Sequence, residues 1–259
     1  MNFQTILYAK DNGVAVITLN RADKLNTVNS VMRDELIEAI RDCERDDQVR
    51  VLIITGGTEV FCAGADVTDQ PGPSTLWDKL SPKRTYSYYH LLEDLGKPVI
   101  AAIAGYCLGG GLELACACDI RIAADNAKLG DAHTKLGIMG GGGSSQRLPR
   151  LIGIPRAKEL IFSGLPIDAE QAERINLVNQ AVPVAELMDT ARELAELYKQ
   201  RPPLVLKLFK AAIGEGMEMP FAQGFDFEAK CAALISLTED YQEAINAFKE
   251  KRKPCFQGK

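Results

Sequence analysis

Two glycine turns, one glutamate and one histidine are the parts of this chain with which it could do chemistry. In Lys97-Pro98-Val99-Ile100-Ala101-Ala102-Ile103-Ala104-Gly105-Tyr106-Cys107-Leu108-Gly109-Gly110-Gly111-Leu112-Glu113-Leu114-Ala115, a buried strand reads into three glycines that open a helix. Glycines there allow unusual dihedrals and close approach to the backbone. The first N–H groups of such a helix lack intrahelical partners and sit at the positive end of its dipole, so they can hold an anion. Glu113 falls in the first turn, beside whatever those amides bind. A second glycine turn, Phe61-Cys62-Ala63-Gly64-Ala65-Asp66, follows the β-branched run Val51–Thr55. Backbone amides from two separate turns with a carboxylate nearby are the components of an oxyanion hole and a base. The third element, Leu129-Gly130-Asp131-Ala132-His133-Thr134-Lys135-Leu136-Gly137, precedes Gly140-Gly141-Gly142-Gly143-Ser144. That glycine run can enclose a flat ligand, and Ser144 is placed to cap the next helix.

Other chemistries fit poorly. No Gly-Lys-Ser/Thr follows the triple glycine, so it is not a P-loop, and it does not spell the G-x-G-x-x-G dinucleotide fingerprint. G-x-S-x-G is missing, which removes the serine-hydrolase elbow. Seven scattered cysteines include Cys116-x-Cys118, but no second pair or nearby histidine completes a zinc set, and small buried thiols are the simpler reading. With only His90 and His133 in the chain, a histidine-rich metal site is impossible. Read structurally, Glu113 is a first-turn acid favoured by the helix dipole, worth some tenths of a kcal/mol.

These residues must be positioned by one ordinary globular unit: 259 residues, 46% apolar, suffice for a substantial core. A net charge of −5 argues against a general nucleic-acid or anionic-membrane surface, and no apolar run is long enough to span a bilayer. The first five residues lack the basic start and apolar stretch of a signal peptide, so a cytoplasmic location is expected. Residues 3–9 and 14–19 read as a hairpin around Asp11-Asn12-Gly13. Asn29 or Ser30 can cap a helix carrying Met32, Leu36, Ile37 and Ile40 at helical spacing. Strand–helix–strand order, repeated after Pro98, indicates an α/β fold. The segment 68–97 begins as a loop and continues as an aromatic helix with Trp77, Tyr86, Tyr88 and Tyr89, either a lid or pocket wall or a surface connection. From residue 185 strands give way to helices over 186–199, 203–214, 221–236 and 239–251, which either cover the core or build an oligomer interface.

Taken together the chain resembles the crotonase family, the enoyl-CoA hydratase/isomerase superfamily. The resemblance rests on Asn20-Arg21-Ala22-Asp23-Lys24-Leu25-Asn26, on 61–66, 97–119 and 130–149, and on Phe248-Lys249-Glu250-Lys251-Arg252-Lys253, in the family's order. It implies a spiral of β-β-α units forming two roughly perpendicular sheets over 1–200, and a helical region over 201–259 that packs homotrimers, often paired into hexamers. It also implies an acyl-CoA thioester substrate and no separate cofactor, coenzyme A entering with the substrate. The oxyanion hole then maps to the N–H groups of Ala65 and Gly110. The adenine pocket maps to Asp23, Lys24, Leu25, Ala63, Ala65, Asp66, Val67 and Thr68, with Phe248 and Lys251 directed at a neighbour's coenzyme A.

One departure matters. Hydratases of this family carry a second glutamate where this chain has His133. Histidine still transfers protons near neutral pH, and Asp131, two residues earlier, would share its face of a strand and orient it; otherwise His133 is a structural histidine lining a pocket. The resemblance therefore implies hydration of an enoyl-CoA with Glu113 and His133 as the acid/base pair. Alternatives are a double-bond isomerase or another lyase or hydrolase of this fold, and a non-catalytic acyl-CoA-binding scaffold. Dehalogenation is disfavoured, since the glycine run offers no carboxylate nucleophile.

Overall fold

The computed structural model describes residues 2–69 and 87–259. The expected loop from Gln70 onward, with Trp77 and Tyr86, lies outside the described residues. β1 (Ile6–Asp11) and β2 (Val14–Leu19) form the antiparallel hairpin. Its loop is Asn12-Gly13 alone, both with positive φ, the two-residue turn whose twist suits a hairpin, so Asp11 belongs to the strand. β1 starts at Ile6 and not at residue 3 because the buried Glu35 carboxylate competes for the backbone: it accepts the N–H groups of Gln4 at 2.6 Å and Thr5 at 2.9 Å. Glu35 lies on α1 (Ser30–Arg45), which Asn29 caps by accepting from the Met32 N–H at 2.9 Å, and whose Met32, Leu36, Ala39 and Ile40 are buried.

The chain then makes three similar turns. β3 (Val51–Thr55) and β4 (Val60–Cys62) precede α2 (Tyr88–Asp94); β5 (Val99–Ile103) and β6 (Tyr106–Leu108) precede α3 (Gly110–Cys116); β7 (Ile120–Ala124) and β8 (Lys128–Gly130) precede α4 (Ser144–Ile152). In each turn the first strand joins one sheet and the second strand joins another. α5 (Ile154–Ser163), β9 (Ile167–Asp168), α6 (Ala169–Arg174) and β10 (Gln180–Val182) follow, and the sheet orders are β1-β2-β3-β5-β7-β10 and β4-β6-β8-β9. This is the expected β-β-α spiral.

The central parallel strands of the larger sheet are buried on both faces, as their continuous apolar runs require. Leu52, Ile54, Val99, Ala101 and Ile103 face the main core with Leu36 and Leu112. Their neighbours Val51, Ile53, Ile100 and Ala102 face the other way, onto Leu187, Ala191 and Ala195 of α7 (Leu187–Lys199). Thus the first helix of the tail covers the sheet. α8 (Pro203–Gly216), α9 (Phe221–Ile235) and α10 (Glu239–Glu250) complete the chain and leave Ile213, Phe221, Phe225 and Phe248 exposed. No helix among the described residues is long and apolar enough to cross a membrane.

The small sheet positions the site. β4, β6 and β8 are adjacent and parallel, with Cys62 beside Cys107, Cys107 beside Leu129, and Leu108 beside Gly130. Their carboxyl ends therefore emerge side by side, and the three segments that follow them are neighbours. α3 packs on the end of β4 so closely that a Cβ on Gly111 would lie 2.8 Å from Cys62 Cβ and closer still to the Cys62 carbonyl oxygen. Gly111→Ala must push α3 off β4; an overpacking cost of ~1–3 kcal/mol is expected, read as a lower urea midpoint at unchanged slope.

Candidate active site

Each of the three neighbouring segments contributes one kind of group. After β4, Val28 donates to Gly64 O at 2.8 Å and accepts from Asp66 N at 2.9 Å, which uses the peptide groups on either side of Ala65 and leaves the Ala65 N–H pointing elsewhere. After β6, Gly109 takes φ 52° as the N-cap of α3, and Gly110 is the first helical residue, so its N–H has no intrahelical acceptor. The two amides converge: a Cβ on Gly110 would stand 3.3 Å from Ala65 N, and one on Gly64 would stand 3.4 Å from Gly110 N. Among the described residues neither N–H donates to a protein acceptor. Two open donors beside a helix N-terminus can hold a developing oxyanion.

Glu113 lies one helical turn further on, 3% exposed. Its Oε1 accepts the N–H of Gly142 at 2.9 Å and of Ser144 at 3.1 Å, leaving Oε2 without a hydrogen bond among the described residues. Burial pushes this carboxyl above its ordinary range; the Ser144 amide, the nearby His133 and the Gly142 amide pull the other way without cancelling the shift. A carboxyl poised upward in this manner suits proton transfer near neutral pH.

After β8 the strand stops at Gly130, so Asp131 and His133 do not share a strand face as expected. They meet instead through a tight turn: Asp131 Oδ1 accepts the His133 N–H at 3.1 Å and lies 2.7 Å from Nδ1. The imidazole stands opposite Glu113. A Cβ on Gly140 would lie 2.7 Å from His133 Cε1 and 2.9 Å from Glu113 Oε1, so carboxylate and ring flank one glycine. Gly140 and Gly142 thus pack against Glu113, and a Cβ on Gly142 would also reach to 2.5 Å from Tyr89 Cε2. Ser144 does not cap α4: Gly143 is the N-cap, and Ser144 gives its amide to Glu113.

The family profile described as Enoyl-CoA hydratase/isomerase matches residues 9–259. The chain belongs to the enoyl-CoA hydratase/isomerase family. It is 41% identical to the short-chain-enoyl-CoA hydratase of Clostridium acetobutylicum, covering 98% of this chain and 97% of that one. It is 38% identical to the crotonyl-CoA hydratase of Syntrophomonas wolfei over 99% of each. The crystal structure of an enoyl-CoA hydratase from Bacillus anthracis superimposes with a TM-score of 0.92 at 40% identity, covering 99% of this chain and all of that one. The expected crotonase-type fold is therefore borne out, and the protein is an enzyme of the enoyl-CoA hydratase/isomerase type.

For this family member the remaining residues fall into two groups. Asp23 and Lys24 lie in a short 3-10 turn and Leu25 follows at φ 51°. Ala63 N donates to Leu25 O at 3.0 Å, and Arg21 pairs with Asp66 at 3.0 Å, so the strip 21–26 is stitched to 63–66. Thr68 bonds Asp66 Oδ1 through both N and Oγ1, and Val67 is exposed. Phe248 and Lys251 are apart from this group, exposed at the end of α10, with Lys251 its left-handed C-cap. Arg252, in the basic tail, is taken by Glu243 and Glu250.

Sequence reasoning missed a clamp. Arg147 binds Glu93 through Nε at 2.6 Å and Nη2 at 2.8 Å, and its Nη1 donates to Gly142 O, fixing the segment whose amides hold Glu113. An arginine just after a glycine run was the available signal. Tyr89 was foreseen only as part of an aromatic helix; it donates to Gly110 O at 3.3 Å, forms a wall of the site, and burial and the Glu113 charge keep its hydroxyl protonated. Cys62 lines the same region, but burial pushes its thiol up to about 12, so it offers no thiolate.

Because burial raises the Glu113 carboxyl, its ionised form weakens the fold as pH climbs through that raised value, and the protonated form at low pH does not. Glu113→Gln is therefore expected to raise the melting temperature near neutral pH. The gain should fade as pH falls and wild type becomes protonated. A scan from pH 4 to 8 checks this.

Proposed function

We propose that the protein catalyses reversible addition of water to an enoyl-CoA thioester, with Glu113 and His133 as its acid/base pair. The observation that carries this reading is the placement of a buried carboxyl and an imidazole across Gly140, beside two converging, open backbone N–H groups. The hydratase names of the relatives support it. The Ala65 and Gly110 N–H groups would donate to the thioester oxygen and stabilise the enolate-like transition state; one such donor is typically worth about 3 kcal/mol. Glu113 would orient and deprotonate the water that attacks Cβ, and His133 would deliver a proton to Cα, regaining it in the dehydration direction. The pair needs one proton between them in either direction.

Coenzyme A enters as part of the substrate, its adenine against residues 23–25 and 63–68, and no further cofactor is needed for this chemistry. The exposed apolar side chains of α8, α9 and α10 support assembly into a homotrimer or a pair of trimers, since patches of this kind mark protein contacts. Phe248 and Lys251 would then reach a neighbour's coenzyme A. Buried free thiols at six of the seven cysteines accord with a reducing, cytoplasmic setting.

The test is a panel of 2-enoyl-CoA thioesters of graded length, followed by loss of the conjugated enoyl-thioester absorbance. Turnover of at least one is expected, with Glu113→Gln and His133→Ala each lowering kcat by ~10²–10⁴ while acyl-CoA affinity holds. An inert panel with intact thioester binding would overturn hydration in favour of isomerase, hydrolase or scaffold roles. Light scattering should give three or six times the 28.2 kDa chain mass; a monomer would sink the assembly reading.

A further inference from the structure

A histidine with an unrestrained ring would leave two questions open: which nitrogen carries the proton, and where the other nitrogen points. Here both are constrained. Asp131 Oδ1 already accepts the backbone N–H of His133 at 3.1 Å, so at that oxygen the ring nitrogen 2.7 Å away finds an acceptor, and Nδ1 must be the protonated one. Asp131 is 1% exposed, and its Oδ2 has no hydrogen-bond partner among the described residues, so His133 is the side chain it meets. That arrangement leaves Nε2 as the basic nitrogen. It stands 3.4 Å from where a Cβ on Gly109 would lie, over the N-cap of the helix whose first N–H belongs to Gly110.

The ring also needs room that only position 140 provides. A Cβ there would lie 2.7 Å from Cε1, 2.8 Å from Nδ1 and 2.9 Å from Glu113 Oε1, all inside the closest approach real side chains show. Any side chain at 140 would therefore drive a wedge between imidazole and carboxyl. We infer that Asp131 and Gly140 are positioning residues for His133: Asp131 fixes its Nδ1–H tautomer and turns Nε2 to the two-amide site, and Gly140 leaves space for the ring beside Glu113. The kinetic side of this inference rests on the proposed hydration; the tautomer and the fit of the ring do not.

The chain's two histidines make a direct test practicable. Nitrogen-15 NMR of the histidine-labelled full-length protein at pH 8, with His133→Gln assigning the signals, reads each ring nitrogen as protonated or bare. The expected result is protonated Nδ1 and bare Nε2 for His133. Asp131→Ala should return the ring to the Nε2–H form that free side chains favour, and Asp131→Asn, which keeps an oxygen acceptor, should restore much of the original pattern. Gly140→Ala should shift the His133 signals while leaving those of His90 in place. A protonated Nε2 in the wild-type protein overturns the inference whether or not any variant folds, as does an unchanged His133 spectrum in a folded Gly140→Ala. If the enoyl-CoA panel shows turnover, Gly140→Ala is expected to lower kcat at least tenfold with KM changed less than threefold, and most of that loss should vanish in a His133→Ala background. An equal loss in both backgrounds would mean that Gly140 acts on the fold and not through His133. If the panel is inert, the spectra decide alone.

Discussion

The site depends on the register of three very short parallel strands. β4, β6 and β8 have three residues each, yet because they are neighbours and run the same way, whatever follows each of them must appear at the same edge. Parallel strands place their carboxyl ends together, and ligands in open α/β sheets gather there for that reason. In this chain the register delivers an amide from the first segment, an amide and a carboxyl from the second, and an imidazole from the third. Slipping one strand by a residue would invert its side chains and move its following segment out of line. The larger sheet, whose central strands are buried on both faces, holds that register by carrying the first strand of every turn.

Once the ends are aligned, the electrostatics follow from burial. Glu113 has lost nearly all its water, which favours its neutral form, and two backbone amides on Oε1 keep the charged form within reach. Those amides belong to a segment that would be loose if it carried only glycines. The Arg147–Glu93 pair ties its Gly142 carbonyl down, so a flexible sequence becomes a fixed donor array. Rigidity here comes from a side chain outside the run and space comes from the missing side chains within it.

Much of this was legible in the chain itself where the signal is local. Asn12-Gly13, the Asn29 cap and the periodicity of the tail helices gave elements whose ends differ from the structure by a few residues. The open amides at the triple glycine were legible because a helix N-terminus advertises its own unsatisfied donors, whereas Ala65 was singled out only through the family resemblance. What failed was competition between local and distant partners. Residues 3–5 have strand character, but the Glu35 carboxylate takes the N–H groups of Gln4 and Thr5. Ser144 is a good capping type, yet a buried carboxylate from another helix claims its amide. Asp131 and His133 suggested strand alternation, but β8 ends at Gly130, before either of them, and an aspartate turn brings them together instead. No local rule could announce the Arg147–Glu93 pair, whose partners are 54 residues apart.

The same logic bears on why this fold can host more than one reaction. Two open amides can serve any step that builds negative charge on an oxygen placed between them, so they would be indifferent to what happens at neighbouring carbons. Selectivity must lie with the side chains across from them. A carboxylate pair would present two acceptors that repel each other when both are ionised, so one is driven to hold a proton. A carboxyl facing an imidazole behaves differently, because the two ionised forms carry opposite charges and attract. At Glu113, burial pushes the carboxyl up, and the Ser144 amide, His133 and the Gly142 amide draw it back. The imidazole of His133 fits beside Glu113 because the backbone between them carries no side chain at 140.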